Sequence, residues 1–160
     1  MKGYLYVVTG DRFIDEALNS AKSLRSVQKD ANISIVTDKE VSNNDHLFNK
    51  VIIKPSQLQN CKEQSYMKKR KEGLLYKVRH IYESSPYRET VFLDSDTYIC
   101  ERCDDLFEVL DFFDLALAHD PNDTARPAHI KTAKVLDSID VFNTGLIVFS
   151  KSESNKMLFS

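Results

Sequence analysis

Six short apolar runs, rich in β-branched and aromatic residues, punctuate this chain, and most stop on a residue that can carry chemistry or break a strand. Tyr4–Thr9 (YLYVVT) ends at Gly10, Ile33–Thr37 (ISIVT) at Asp38, and Lys50–Lys54 (KVIIK) at Pro55. Thr90–Leu93 (TVFL) leads into Asp94, and Leu115–Ala118 into His119 and Asp120; Leu146–Phe149 is the last run. Runs of this length without polar alternation are predicted to be strands buried on both faces. Such strands need helices to cover them, so the pattern between the runs decides the fold class.

That pattern is helical. Phe13, Ala17, Ala21 and Leu24 recur at helical spacing and predict a helix over Phe13–Gln28, with Asp11 as its N-cap. A longer helix is predicted from about Gln64 to Ser84, with Leu74, Leu75, Val78, Ile81 and Tyr82 as its apolar stripe and Pro86 beyond its end. Cys103–Leu110 reads as a short helix, and SESNKMLFS opens another. Alternating strands and helices predict an α/β fold with a parallel or mixed sheet. A chain of 160 residues is expected to form a single domain spanning residues 1–160. Ligands in such sheets sit beyond the carboxyl ends of the strands, where Gly10, Asp38, Asp94 and His119-Asp120 all fall.

Charge narrows the partners. The formal net charge of −2 gives no electrostatic case for nucleic acid or an anionic membrane. The basic run Lys68-Lys69-Arg70-Lys71 reads as a solvated helix face. No apolar run approaches membrane-spanning length, and MKGYLYVVTG is too short for a signal peptide, so a cytoplasmic location is expected. Cys61, Cys100 and Cys103 are too few for a disulfide framework, and one CxxC without a partner motif is not a zinc site.

The most informative segment is TVFLDSDTYI. Two carboxylates at i and i+2 past a buried strand repel each other unless a cation compensates. Their oxygens suit Mg²⁺ or Mn²⁺, which completes its shell with phosphate oxygens and water. A solvated turn is the plainer alternative, but Val91, Phe92 and Leu93 leading in favour the cation. A haloacid-dehalogenase-like phosphatase also carries paired aspartates after a strand. Its pair belongs near the start of the core, whereas this one lies past mid-chain, with Tyr98 at the position of the expected Thr or Val. Lys77 follows Leu74 by three places and precedes Ile81 by four, so it borders the apolar stripe, from which an ammonium reaches either solvent or the crevice. His119 and His129 are candidate third metal ligands. Only four glycines occur, and Gly10 and Gly145 sit at these motifs.

The stretches YLYVVTGDRFIDEALNSAKSLR, ISIVTD, GLLYKVRHIYESSPYRETVFLDSDTYIC, DDLFEVLDFFDLALAHDP and FNTGLIVFSKSE, in this order, resemble the GT-A glycosyltransferases. The likeness is to the glycogenin-like family 8 and related nucleotide-diphospho-sugar transferases. It implies a Rossmann-like mixed sheet flanked by helices, a divalent cation (Mn²⁺ or Mg²⁺) at a DxD motif, and a UDP-sugar donor. A glycan, protein or small molecule would be the acceptor, and family 8 would imply retention at the anomeric carbon. Residue by residue, Thr9, Gly10 and Phe13 match the segment that holds the nucleoside, and Asp38 would face the base or ribose. Lys77 matches a lysine contacting the diphosphate, and Asp94 and Asp96 the metal-binding pair. Asp120 and Asn143 match positions facing the transferred sugar, and Gly145 belongs to the same FNTG motif. The family pattern continues past FNTG with a GGDQ-like segment and, in family 8, a later metal-binding His. Neither is present, so the chain is expected to be a C-terminally incomplete version, in which nucleotide binding survives better than transfer.

Overall fold

A computed structural model describes residues 1–42, 46–56, 66–119 and 142–159, without the side chains of residues 66–71. Its centre is one six-stranded mixed sheet, formed by β1 (Lys2–Val7), β2 (Ile33–Thr37), β3 (Lys50–Ile53), β4 (Glu89–Leu93), β5 (Leu115–His119) and β6 (Phe142–Ser150). The strand order is β3-β2-β1-β4-β6-β5. The pairs β3–β2, β2–β1 and β1–β4 are parallel, while β6 runs antiparallel to both β4 and β5. The chain order reverses direction at β1, between β2 and β4, which places a crevice beyond the carboxyl ends of these strands.

Strand parity divides the core into two layers. Tyr4, Tyr6 and Val8 face one side with Ile33, Ile35, Val91 and Leu93, under α1 (Asp11–Val27) and a 3₁₀ helix (Asp104–Asp111). Leu5, Val7, Val36, Phe92, Ile147 and Phe149 face the other side, with Tyr76, Ile81 and Tyr82 from α2 (Tyr66–Ile81) and its end. A C-terminal helix, α3 (Glu153–Phe159), adds Phe159, whose ring stacks on Tyr82 with centroids 5.2 Å apart. The expected α/β architecture, with helices on both faces, is therefore present.

Two helical expectations need correction. Gly10, at φ 88° and ψ 150°, is the N-cap of α1; Asp11 is its first residue and accepts a hydrogen bond from Lys39 at 2.7 Å. The helix also presents Ile14, not Phe13, beside Ala17, Ala21 and Leu24. Among the described side chains of α2, Tyr76 and Ile81 are buried, as is Tyr82 just beyond it; Ile81 and Tyr82 belong to the expected stripe, while Leu74, Leu75 and Val78 are about half exposed. The apolar stripe read from spacing is rotated, because Tyr76 spends its ring on the sheet and its hydroxyl on the Lys54 carbonyl at 3.0 Å.

Gly3 shows how tightly β1 is packed. A methyl group there would run into the Tyr87 ring, whose hydroxyl bonds Ser34 Oγ at 2.6 Å inside the core. Gly3→Ala is expected to destabilise the fold by about 1–3 kcal/mol through overpacking, measurable as a lower urea midpoint. An unchanged midpoint would show that Tyr87 yields freely.

Candidate functional site

The ends of β4, β5 and β6 gather several of the predicted residues into one region. At its centre is the turn that follows β4. The Asp94 N–H donates to the Gly145 carbonyl at 2.8 Å, so β6 holds the backbone of the first aspartate. The Thr97 N–H and hydroxyl both reach back to the Asp94 carbonyl, at 3.2 and 2.8 Å, closing a tight turn over Asp94–Thr97. Asp94 and Asp96 therefore stand on one short, internally bonded turn.

A cavity of about 400 Å³ opens beside that turn, lined by Asp94, Asp96, Thr97, Ala118, His119, Asn143, Gly145 and Leu146. Its shape comes from an irregularity in β6. Leu117 pairs with Ile147 but Ala118 pairs with Asn143, so three extra residues, Thr144 to Leu146, bulge between those partners. Bulges of this kind end regular pairing and re-aim side chains, often beside functional sites. A smaller cavity of about 270 Å³ shares Ala118 and Leu146, and Asp105 is its sole charged lining residue. The ionisable and amide groups converge on the larger one.

Gly145 is required at that bulge. A Cβ there would lie 2.8 Å from Asn143 Oδ1 and 3.4 Å from Asp94 Oδ2, and the Gly145 N–H already donates to Asn143 Oδ1 at 2.6 Å. A methyl group must displace the Asn143 side chain and would sit in contact with that of Asp94. Gly145→Ala is expected to weaken binding of any ligand held by Asp94 by about tenfold, with little change in the unfolding midpoint. Equal affinity in wild type and variant, measured by calorimetry, would show that the two side chains shift without consequence.

Lys77 completes the electrostatics. Its ammonium lies 2.5 Å from Asp94 Oδ1 and 5.4 Å from the centre of the buried Phe92 ring. Both partners are only partly exposed, 19% for the Lys77 side chain and 33% for that of Asp94, so solvent screens the pair incompletely. The ammonium is thus directed at the crevice and not into bulk solvent.

On the β1–β2 side, the Gly10 N–H donates to Asp38 Oδ1 at 3.2 Å, joining the ends of the two strands. Asp38 is buried; burial of the Tyr76 hydroxyl, and then the Asp38 charge, raise the pKa of Tyr76. Thr9 Oγ1 and Thr37 Oγ1 are buried without a hydrogen-bond partner, an arrangement that native interiors seldom leave unanswered. Phe13 stands in the first turn of α1 with 48% of its surface exposed.

Asp94, Asp96, His119, Asn143 and Gly145 are thus brought together, with Lys77 against Asp94; Thr9, Gly10, Asp38 and Phe13 lie at the neighbouring strand ends. Asp120, His129 and Cys61 lie outside the described residues, as do the side chains of the Lys68–Lys71 run. Cys100 and Cys103 are free thiols; Cys103 donates to the Tyr4 hydroxyl at 3.6 Å, and burial pushes its pKa up, as expected of a structural thiol. Thr97 and Tyr76 escaped the sequence reading. The spacing of Thr97 from Asp94, which suits a turn closed by a hydroxyl, is the signal that marks the first.

The donor set can be tested against a divalent cation. Two carboxylates and an amide oxygen edge one cavity, a hard-oxygen set that suits Mg²⁺ or Mn²⁺ with remaining positions left to phosphate and water. Among the described residues no cluster of three or more His, Cys, Asp or Glu could enclose a metal ion. A cation at Asp94 and Asp96 would therefore need further oxygens from a bound ligand.

No family profile matches the sequence, and no curated protein matches it significantly. Solved structures do match. The galactosyltransferase LgtC in complex with donor and acceptor sugar analogues superposes with a TM-score of 0.65 at 11% identity, over 94% of this chain and 58% of that one. The bifunctional glycosyltransferase WbbM gives 0.60 at 18% identity, over 98% of this chain and 33% of WbbM. The glycosyltransferase GlyE of Streptococcus pneumoniae gives 0.57 at 14%, over 99% and 37%. This chain spans less than two thirds of each neighbour's length. Its six-stranded mixed sheet flanked by helices is the GT-A-like fold of these glycosyltransferases.

Proposed function

We propose that this chain is the donor-binding part of a metal-dependent glycosyltransferase that takes a sugar from a nucleoside diphosphate, with UDP as the expected nucleotide. The observation that carries the reading is the shared cavity of Asp94, Asp96 and Asn143, with the Lys77 ammonium on Asp94. Asp94 and Asp96 would hold Mn²⁺ or Mg²⁺, which when bound neutralises charge on the diphosphate. Lys77 adds a fixed positive charge where the leaving diphosphate gains negative charge as the anomeric C–O bond breaks. Phe92 beneath it restrains that ammonium.

The nucleoside would lie over the ends of β1 and β2. Thr9 and Thr37 have unused hydroxyl capacity there, Asp38 offers a carboxylate, and Phe13 offers an exposed ring face for the base. Asn143 would orient the transferred sugar across the bulge, with Asp120 as its partner. The acceptor, a glycan, protein or small molecule, would enter from the open side of the cavity. A cytoplasmic setting remains part of the proposal, and no described helix is long and apolar enough to cross a membrane.

A thermal-shift series with nucleotide-sugars, with and without Mn²⁺, tests the reading. A true donor raises apparent stability by linkage, and the rise should require the metal. No stabilisation by any nucleoside diphosphate would remove the proposal. A second reading is that the chain binds the nucleotide-sugar without transferring the sugar. Release of UDP from a UDP-sugar by the purified chain would exclude it.

A further inference from the structure

Ser95, between the two aspartates, and Thr97 and Ile99, beyond them, all bond to α1. Ser95 Oγ donates to Glu16 Oε2 at 3.0 Å, and the Ile99 N–H donates to Ser23 Oγ at 2.9 Å. Thr97 Oγ1 lies 2.8 Å from Ser20 Oγ, which lies 2.9 Å from the Tyr6 hydroxyl. Glu16, Ser20 and Ser23 follow one another by four and three positions, so they form one face of the helix. Residues 95, 97 and 99 alternate with 94 and 96: α1 bonds the three odd positions, Asp94 and Asp96 line the cavity, and Thr97 does both.

Proton counting fixes the direction of the central chain. Thr97 has one hydroxyl proton, and it goes to the Asp94 carbonyl at 2.8 Å. Ser20 must therefore donate to Thr97, which leaves Tyr6 to donate to Ser20. Three hydroxyls form a one-way relay from the buried ring of Tyr6 to the backbone of the first aspartate, and each bond polarises the next. Tyr6 and Ser20 are 0% and 1% exposed, so water does not compete for these partners.

We infer that the polar face of α1, Glu16, Ser20 and Ser23 with Tyr6 behind it, positions the acidic turn so that Asp94 and Asp96 share one cation. This inference rests on the donor-binding reading above. None of these four residues lines the cavity, so they are positioning residues that act through the turn. The same helix begins at Gly10 and Phe13, so one rigid element sets the spacing between the nucleoside segment and the cation turn.

The test measures UDP affinity with and without Mn²⁺ for the wild-type chain and for Ser20→Ala, Ser95→Ala, Thr97→Val and Thr97→Ser. Amide hydrogen exchange at Thr97 and Ile99 is followed in the metal-free proteins. Ser20→Ala and Ser95→Ala should weaken Mn²⁺-dependent binding by about 10- to 100-fold, the usual effect of losing groups that orient metal ligands. In Ser20→Ala and Ser95→Ala metal-free UDP affinity should stay as in wild type, and exchange at Thr97 should quicken in Ser20→Ala; Thr97→Ser should retain tight binding where Thr97→Val does not. Wild-type affinity in both Ser20→Ala and Ser95→Ala would overturn the inference while leaving the donor-binding reading intact. Equal losses with and without metal would reduce the relay to a structural support and overturn it too. If the wild-type chain shows no Mn²⁺-dependent UDP binding, the donor-binding reading fails and the inference falls with it. Should Ser20→Ala not fold, Ser95→Ala decides the matter.

Discussion

Asp94→Ala is expected to abolish Mn²⁺-dependent UDP binding, lowering affinity more than about 100-fold, or about 3 kcal/mol. The carboxylate does two things that no neighbour replaces. Its Oδ1 holds the Lys77 ammonium at 2.5 Å, and its Oδ2 faces Gly145 at the wall of the cavity shared with Asp96. Removing it leaves Asp96 as a single, exposed carboxylate, which is a poor site for a hard dication. It also releases Lys77, so metal-free UDP affinity should hold or rise slightly. Calorimetric titration with and without Mn²⁺ reads both effects. A variant that retains metal-dependent affinity would place the cation elsewhere; one that loses metal-free affinity equally would point to a collapsed turn.

The largest effect on stability is expected at Phe92, which is fully buried in β4 between β1 and β6. Its ring packs with Leu5, Val7, Val36, Ile147 and Phe149 and forms the floor beneath Lys77. Phe92→Ala removes that burial and leaves a cavity, for an expected loss of about 3–5 kcal/mol. With a urea dependence of roughly 1–3 kcal/mol per molar, the midpoint should fall by on the order of 2 M. Phe13→Ala supplies the contrast. That ring is 48% exposed, so its removal should change stability by less than about 0.5 kcal/mol. Comparable losses at the two positions would mean that the layers are packed otherwise.

Those two phenylalanines also mark where sequence reasoning succeeded and where it went astray. Continuous apolar runs fell on each strand of the described sheet, and Phe92 fell in place with them, although β3 and β5 are only partly buried. On helices, spacing leaves the rotation uncertain by about one residue. Phe13 and Ile14 compete for the same face of α1, and in the structure the smaller aliphatic side chain fits between helix and sheet while the ring stays outside. In α2 the leucines promised a stripe, but Tyr76 could bury its ring and still satisfy its hydroxyl on Lys54, and Leu74 and Leu75 were left outside.

The place of the acidic turn was legible in the sequence, but its support was not. Asp94 and Asp96 announce themselves by repulsion, and Lys77 by its place beside an apolar stripe. Nothing local in the sequence says that Ser20, 77 residues before Thr97, bonds to it. Likewise, Gly145 signals an unusual backbone, while the three-residue bulge that opens the cavity depends on how β5 and β6 pair. Contacts of long sequence separation are where residue patterns stop and topology begins.

The central claim is that Asp94 and Asp96 share a cation with a bound diphosphate. Paramagnetic broadening of backbone amide signals by Mn²⁺, recorded with and without UDP, locates such a cation directly. The predicted result is broadening centred on Asp94–Thr97 and Gly145 that strengthens when UDP is added. Broadening centred on any other segment, or none at all with UDP present, would contradict it.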